Sequence, residues 1–76
     1  MAFPESKNQN VRVAYDANGN LQYVGRARIG STSAQAVWQI QRFTYDVNEN
    51  LTLIEWAGGD NDFNNVWDNR ATFSYS

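Results

Sequence analysis

Seventy-six residues limit the chain to one small domain, and the absence of both cysteine and histidine removes disulfides and the commonest zinc ligands as ways to staple it. Oligomerisation is the staple that remains. Eight acidic residues against six basic ones give a net charge of −2, which argues against nucleic acid as a partner. No run approaches the roughly 18 to 20 apolar residues of a membrane helix, and Met1 to Lys7 contains no apolar signal core, so no membrane association and synthesis in a cytoplasm are expected.

Residues 1–9 predict an extended N-terminal arm: Pro4 and a polar run leave Phe3 as its one apolar anchor. Such an arm either frays or docks on a neighbouring subunit. Residues 10–76 then form a single small β domain, as expected of a chain with eleven aromatics, many Asn and Thr, and few Lys or Glu.

The strongest signal within that domain is an internal echo. Tyr15-Asp16-Ala17-Asn18-Gly19-Asn20-Leu21 returns thirty residues later as Tyr45-Asp46-Val47-Asn48-Glu49-Asn50-Leu51. Asp and Asn bond their own backbone in turns, and Asn-Gly is a strong hairpin signal. The echo therefore predicts two β-hairpins on one plan, with strands over 10–16, 20–29, 36–46 and 50–57. Where Glu49 replaces Gly19, Asn48 or Asn50 is expected to take any left-handed position.

Gly58-Gly59-Asp60-Asn61-Asp62 follows as a turn. Beyond it Phe63, Val66 and Trp67, at i, i+3 and i+4, predict a short helix near 61–69, with Asp60 or Asn61 at its cap. Residues 71–76 alternate as a closing strand. The fold class expected is thus mainly all-β, a small antiparallel sheet or barrel of two hairpins plus a C-terminal strand, with one short helix.

Alternation along superposed hairpins groups Val11, Val13, Tyr15, Leu21, Tyr23, Phe43, Tyr45, Leu51 and Leu53 on one face as the core. Val24, Trp38, Ile40, Ile54 and Trp56 then fall on the other. Either the short helix covers those residues, or they form an intersubunit patch with Phe3, which makes Phe3, Trp38, Ile40 and Trp56 the candidate interface. A bulge near Gln41-Arg42 that turns a barrel corner is a third arrangement.

The catalytic inventory is thin. Without histidine or cysteine almost every nucleophilic triad is excluded, and the single lysine, Lys7, lies in the arm. Glu55 with Asp60 or Asp62 is the remaining carboxylate pair, in positions that suit solvated turns. Asp16-x-Asn18-x-Asn20 mimics the opening of an EF-hand loop, but Leu21 and Ala27 stand where its glycine and bidentate glutamate belong. No cofactor is expected. Arg26 and Arg28 on one strand face, with Trp67, Asn69 and Arg70, make a candidate ligand patch, because aromatic, amide and guanidinium groups together suit a sugar ring.

Tyr23-x-Gly25-x-Ala27, Ser31-Thr32-Ser33-x-x-x-Val37-Trp38-x-Ile40-x-Arg42, Tyr45, Ile54-Glu55-Trp56-Ala57-x-Gly59, Phe63 and Trp67-Asp68-Asn69-Arg70-Ala71-x-x-x-Tyr75-Ser76 resemble a group of small tailed-bacteriophage proteins. The two Y-D-x-N-x-N-L units also resemble the hairpins of YD-repeat shell proteins, which carry many tandem copies. The phage resemblance implies a non-enzymatic structural protein of the virion, in capsid decoration, neck or tail, with other virion proteins as partners and several copies per particle. A carbohydrate- or receptor-binding module near a tail fibre is the alternative expectation.

Overall fold

The computed structural model describes residues 9–76, so the arm expected over residues 1–9 and its anchor Phe3 lie almost wholly outside the described residues. The two echoed turns fold alike. Asp16 Oδ1 accepts the backbone N–H groups of Asn18 and Asn20, both at 2.9 Å. Asp46 Oδ1 does the same for Asn48 and Asn50 at 2.9 and 3.0 Å. The N–H of Gly19 donates to Asp16 O, and that of Glu49 to Asp46 O.

Each turn ends in a left-handed residue, Gly19 at φ 83° and Glu49 at φ 64°. The second position was expected at Asn48 or Asn50. It falls on Glu49 because the Asx bonds of Asp46 fix the same turn in both hairpins, so the left-handed residue stays third after the aspartate whatever its side chain.

From these turns run β1 (Gln9–Tyr15), β2 (Leu21–Arg28), β3 (Ala36–Tyr45) and β4 (Leu51–Trp56), a four-stranded antiparallel meander in the order β1-β2-β3-β4. A two-residue strand, β5 (Asn65–Val66), pairs with the start of β3, Ala36 opposite Val66 and Trp38 opposite Asn65. The architecture is mainly β, as expected, with one short 3-10 helix over Trp67–Thr72.

That helix begins later than the spacing of Phe63, Val66 and Trp67 suggests. Asn65 and Val66 are drawn into the sheet, where the Asn65 side chain also donates to Trp38 O at 3.0 Å. Phe63 remains 45 % exposed. Asp60 closes an Asx turn onto the Asp62 N–H instead of capping a helix.

The closing segment, expected as a strand over 71–76, returns to β4 only at its end, because Ala71 and Thr72 belong to the 3-10 helix. Trp56 and Ser76 exchange both backbone hydrogen bonds, and Tyr75 bridges to Ala57. The pairing of Gln41 and Arg42 with β4 is regular, so no corner forms there.

Register decides the faces. Tyr15 opposes Leu21, but Val13 opposes Val24; Tyr45 opposes Leu51, but Phe43 opposes Ile54. In each hairpin a one-residue bulge follows the turn, at Gln22 and Thr52, and flips the parity of the returning strand. The grouping expected from alternation presupposes Val13 opposite Tyr23 and Phe43 opposite Leu53, and the bulges overturn it.

One face therefore carries Ala14, Tyr23, Gly25, Ala27, Trp38, Ile40, Arg42 and Leu53. Trp67, Phe73 and Tyr75 pack against it. Trp38 and Ile40 are fully buried there, the Trp38 and Trp67 ring centroids are 6.0 Å apart, and Trp38 Nε1 donates to Thr32 O. Gly25 is required at this seam, because a Cβ would lie 2.6 Å from Cε3 of Trp67.

Candidate interaction surface

The second face has no cover among the described residues. Val13, Val24, Gln41 and Trp56 stand opposite one another in a line across all four main strands. Val11, Phe43 and Ile54 flank that line. Val24 is buried at its centre between Val13 and Gln41, whereas Val13 is 38 % and Ile54 45 % exposed. Arg26 donates to the Gln41 side chain at 2.9 Å, so a polar pair lies in the middle of the face between its apolar residues.

At the corner where β1, β2 and β3 meet, a depression of about 680 Å³ extends this face, lined by Arg28, Ile29, Val37 and Phe63 among others. Apolar side chains left uncovered together on one face, rimmed by polar ones, are what contact sites present.

The sequence-expected interface divides between the two faces. Trp56 lies on the open face, half-buried. Trp38 and Ile40 lie in the core, beneath the C-terminal segment. Phe3 is outside the described residues. Val11, Val13 and Phe43, expected in the core, instead line the open face; the signal that separates them is the bulge after each turn, which alternation alone does not register.

The candidate ligand patch is likewise spread out. Arg26 and Arg28 belong to the open face, while Trp67 is 5 % exposed on the covered side. Arg70 lies with its guanidinium 4.7 Å from the Trp67 ring centroid and donates to Trp67 O. Asn69 is exposed and its carbonyl accepts from the Thr72 hydroxyl. Trp67 thus offers its ring to Gly25, Trp38 and Arg70, with no face left for a sugar.

The acidic groups serve the fold. Glu55 forms an ion pair with Arg42 at 2.8 Å, and Arg42 lies over the Tyr75 ring. The Asp46 carboxyl is held below its ordinary range, chiefly by the Asn50 N–H. Burial, the neighbouring Tyr23 and the opposing pull of Arg42 and Arg70 leave the Tyr75 phenol pushed up to about 12, and its hydroxyl donates to Arg70 O at 2.7 Å. Among the described residues no three acidic side chains gather as a metal-binding group. No helix in the described residues is long and apolar enough to cross a membrane.

No protein-family model, curated protein or solved structure matches the chain.

Proposed function

We propose that the chain is a non-enzymatic structural protein of a tailed-phage virion, in capsid decoration, neck or tail, acting through protein–protein contacts in many copies. The observation that carries the contact role is the open sheet face: Val13 and Ile54 stand exposed on it, Val11, Phe43 and Trp56 are half-buried beside them, and no element among the described residues covers it. A domain of this size has little core to spare, so burying that surface against a partner adds stability that the monomer lacks. The virion setting is supported by the resemblance carried by Ser31-Thr32-Ser33, Ile54-Glu55-Trp56-Ala57 and Trp67-Asp68-Asn69-Arg70-Ala71.

Its partners are then other virion proteins and further copies of itself, and its place is the particle, after synthesis in the host cytoplasm. Histidine and cysteine, on which nearly all nucleophilic triads depend, are missing from the chain. The sugar-binding alternative has no comparable support, since Trp67 is packed away.

The test is incorporation. Tagged wild-type chain supplied during infection should co-sediment with purified particles, while Ile54→Glu and Trp56→Ala should be depleted from them though still folded. Equal incorporation of wild type and both variants would contradict the role of the face.

A further inference from the structure

The seam between the two hairpins shows how one copy of this chain can add to another. Shifted by thirty residues, β1 corresponds to β3 and β2 to β4, and Arg12 stands where Arg42 stands. Inside the molecule the second strand of one hairpin, β2, pairs with the first strand of the next, β3, placing Tyr23 opposite Arg42, Val24 opposite Gln41 and Gly25 opposite Ile40. The two edges of the sheet, β4 and β1, are the equivalents of β2 and β3 with no such partner among the described residues.

We propose that β4 of one copy pairs with β1 of a second copy in the register of the internal seam, so that copies join head to tail into one continued sheet. The contact specifies how the multicopy assembly proposed above would be built, and to that extent it rests on that reading. The thirty-residue shift sets Leu53 opposite Arg12 of the second copy, Ile54 opposite its Val11 and Glu55 opposite its Asn10.

The hydrogen-bonding phase agrees. On β4 the Ala57 N–H points inward to Ile40 O, whereas Trp56 exchanges both its bonds outward with Ser76. Alternation then turns the N–H and C=O of Ile54 outward as well. On β1 the Asp16 N–H points inward to Asn20 O, which turns Val13 and Val11 outward. The two residues that the register places opposite each other are the ones whose backbone groups are available. Ser76, bound at Trp56, marks where the open run of β4 ends.

Charge and composition favour the head-to-tail pair over like edges. Each edge strand carries one charge, Arg12 on β1 and Glu55 on β4, and neither contains the Lys or Pro that commonly guards an edge. Joining β4 to β1 sets Glu55 diagonal to Arg12 on the same face, whereas joining like edges brings like charges together. A head-to-tail contact closes into a ring or extends as a filament, according to the rotation between copies.

The chain has no cysteine, so the register can be read by cross-linking. Leu53 and Arg12 fall at a non-hydrogen-bonded pair, where Cα atoms approach to about 4.5 Å, within disulfide reach. With oxidised glutathione as electron acceptor, full-length chain carrying both Leu53→Cys and Arg12→Cys should give a ladder of linked dimers, trimers and higher forms. Either single variant should remain unlinked.

Val11→Pro, which removes an outward N–H and no internal bond, should weaken self-association by about tenfold. Val11→Lys, which guards the edge without changing the backbone, should weaken it too, and circular dichroism checks that both fold. A double variant that stays monomeric, or a single variant that dimerises as readily, overturns the pairing. Wild-type chain that is incorporated into particles but never self-associates in solution would overturn the pairing and leave the virion reading standing. Self-association through this register by a chain absent from particles would do the reverse.

Discussion

Gly25→Ala tests which face of the sheet is covered. The new Cβ would sit 2.6 and 2.7 Å from Cε3 and Cζ3 of Trp67 and 3.2 Å from Cε3 of Trp38. Carbon atoms pack best at about 3.5 to 4.0 Å, so the Trp67 ring must retreat by about 1 Å. Its retreat is blocked on one side by the Arg70 guanidinium, 4.7 Å from the ring centroid. Overpacking of this kind costs about 1 to 3 kcal/mol. Alanine recovers about 0.5 to 1 kcal/mol of that, because glycine is the poorer strand residue.

The net loss is about 1 to 2 kcal/mol, which for a domain of this length lowers Tm by roughly 5 to 15 °C. Thermal unfolding followed by circular dichroism reads it directly. A second arm isolates the contact: adding Trp67→Phe to Gly25→Ala should cost less than the sum of the single changes, as expected of two residues in contact. An unchanged or raised Tm in Gly25→Ala, with additive behaviour in the double variant, would refute the packing of Trp67 on Gly25 and with it the assignment of the open face.

Three further outcomes follow from the turns and the C-terminal segment. Glu49→Gly should raise stability by about 1 kcal/mol in urea denaturation, because a non-glycine residue in the left-handed region carries a cost of about 1 to 2 kcal/mol, part of which glycine's greater unfolded-state freedom offsets; a loss of stability would mean that the bond from Asn20 Nδ2 to Glu49 Oε1 outweighs the backbone strain. Since the Asp46 carboxyl is held below its ordinary range, its contribution is present above about pH 4 and fades as pH falls through the lower folded value. Asp46→Asn, which keeps an acceptor but cannot titrate, should flatten that part of the acid-unfolding curve, and an unaltered curve would contradict the assignment. Tyr75 behaves in the opposite sense: with its pKa pushed up to about 12, folding favours the protonated phenol, so stability declines as pH rises from about 10 towards 12. Desolvation and the nearby Asp16 also raise the Tyr45 phenol, so the ultraviolet titration is read by difference: Tyr75→Phe should remove the step at about 12.

The hairpins were legible because their cause is local. Asp16 and Asp46 close their turns with their own side chains, and each strand boundary follows within a residue or two of its expected place. The faces were not legible, because they depend on where the ladder slips. A single extra residue at Gln22 and at Thr52 turns Val24, Ile54 and Trp56 to the side of Val13 and Phe43, and no composition or spacing announces it.

The short helix was half legible. Trp67 is buried as its spacing with Val66 suggested, but the first part of the expected helix became β5, because the open side of β3 at Ala36 and Trp38 offered backbone partners to Asn65 and Val66. Of the candidate interface, Trp56 lies on the open face, while Val11, Val13 and Phe43, which share that face, were hidden among residues that read as core. Trp38 and Trp67 looked available for contact because aromatic residues signal burial without saying against what.

The central claim is that the chain works as a repeated part of a particle, joined to its neighbours by protein contacts. Quantitative mass spectrometry of purified virions, scaled to the major capsid protein, measures this directly. A fixed ratio amounting to many copies per particle, unchanged by high-salt washing that strips loosely bound proteins, is the predicted result. Absence from the particle, or a trace amount that varies between preparations, would contradict it.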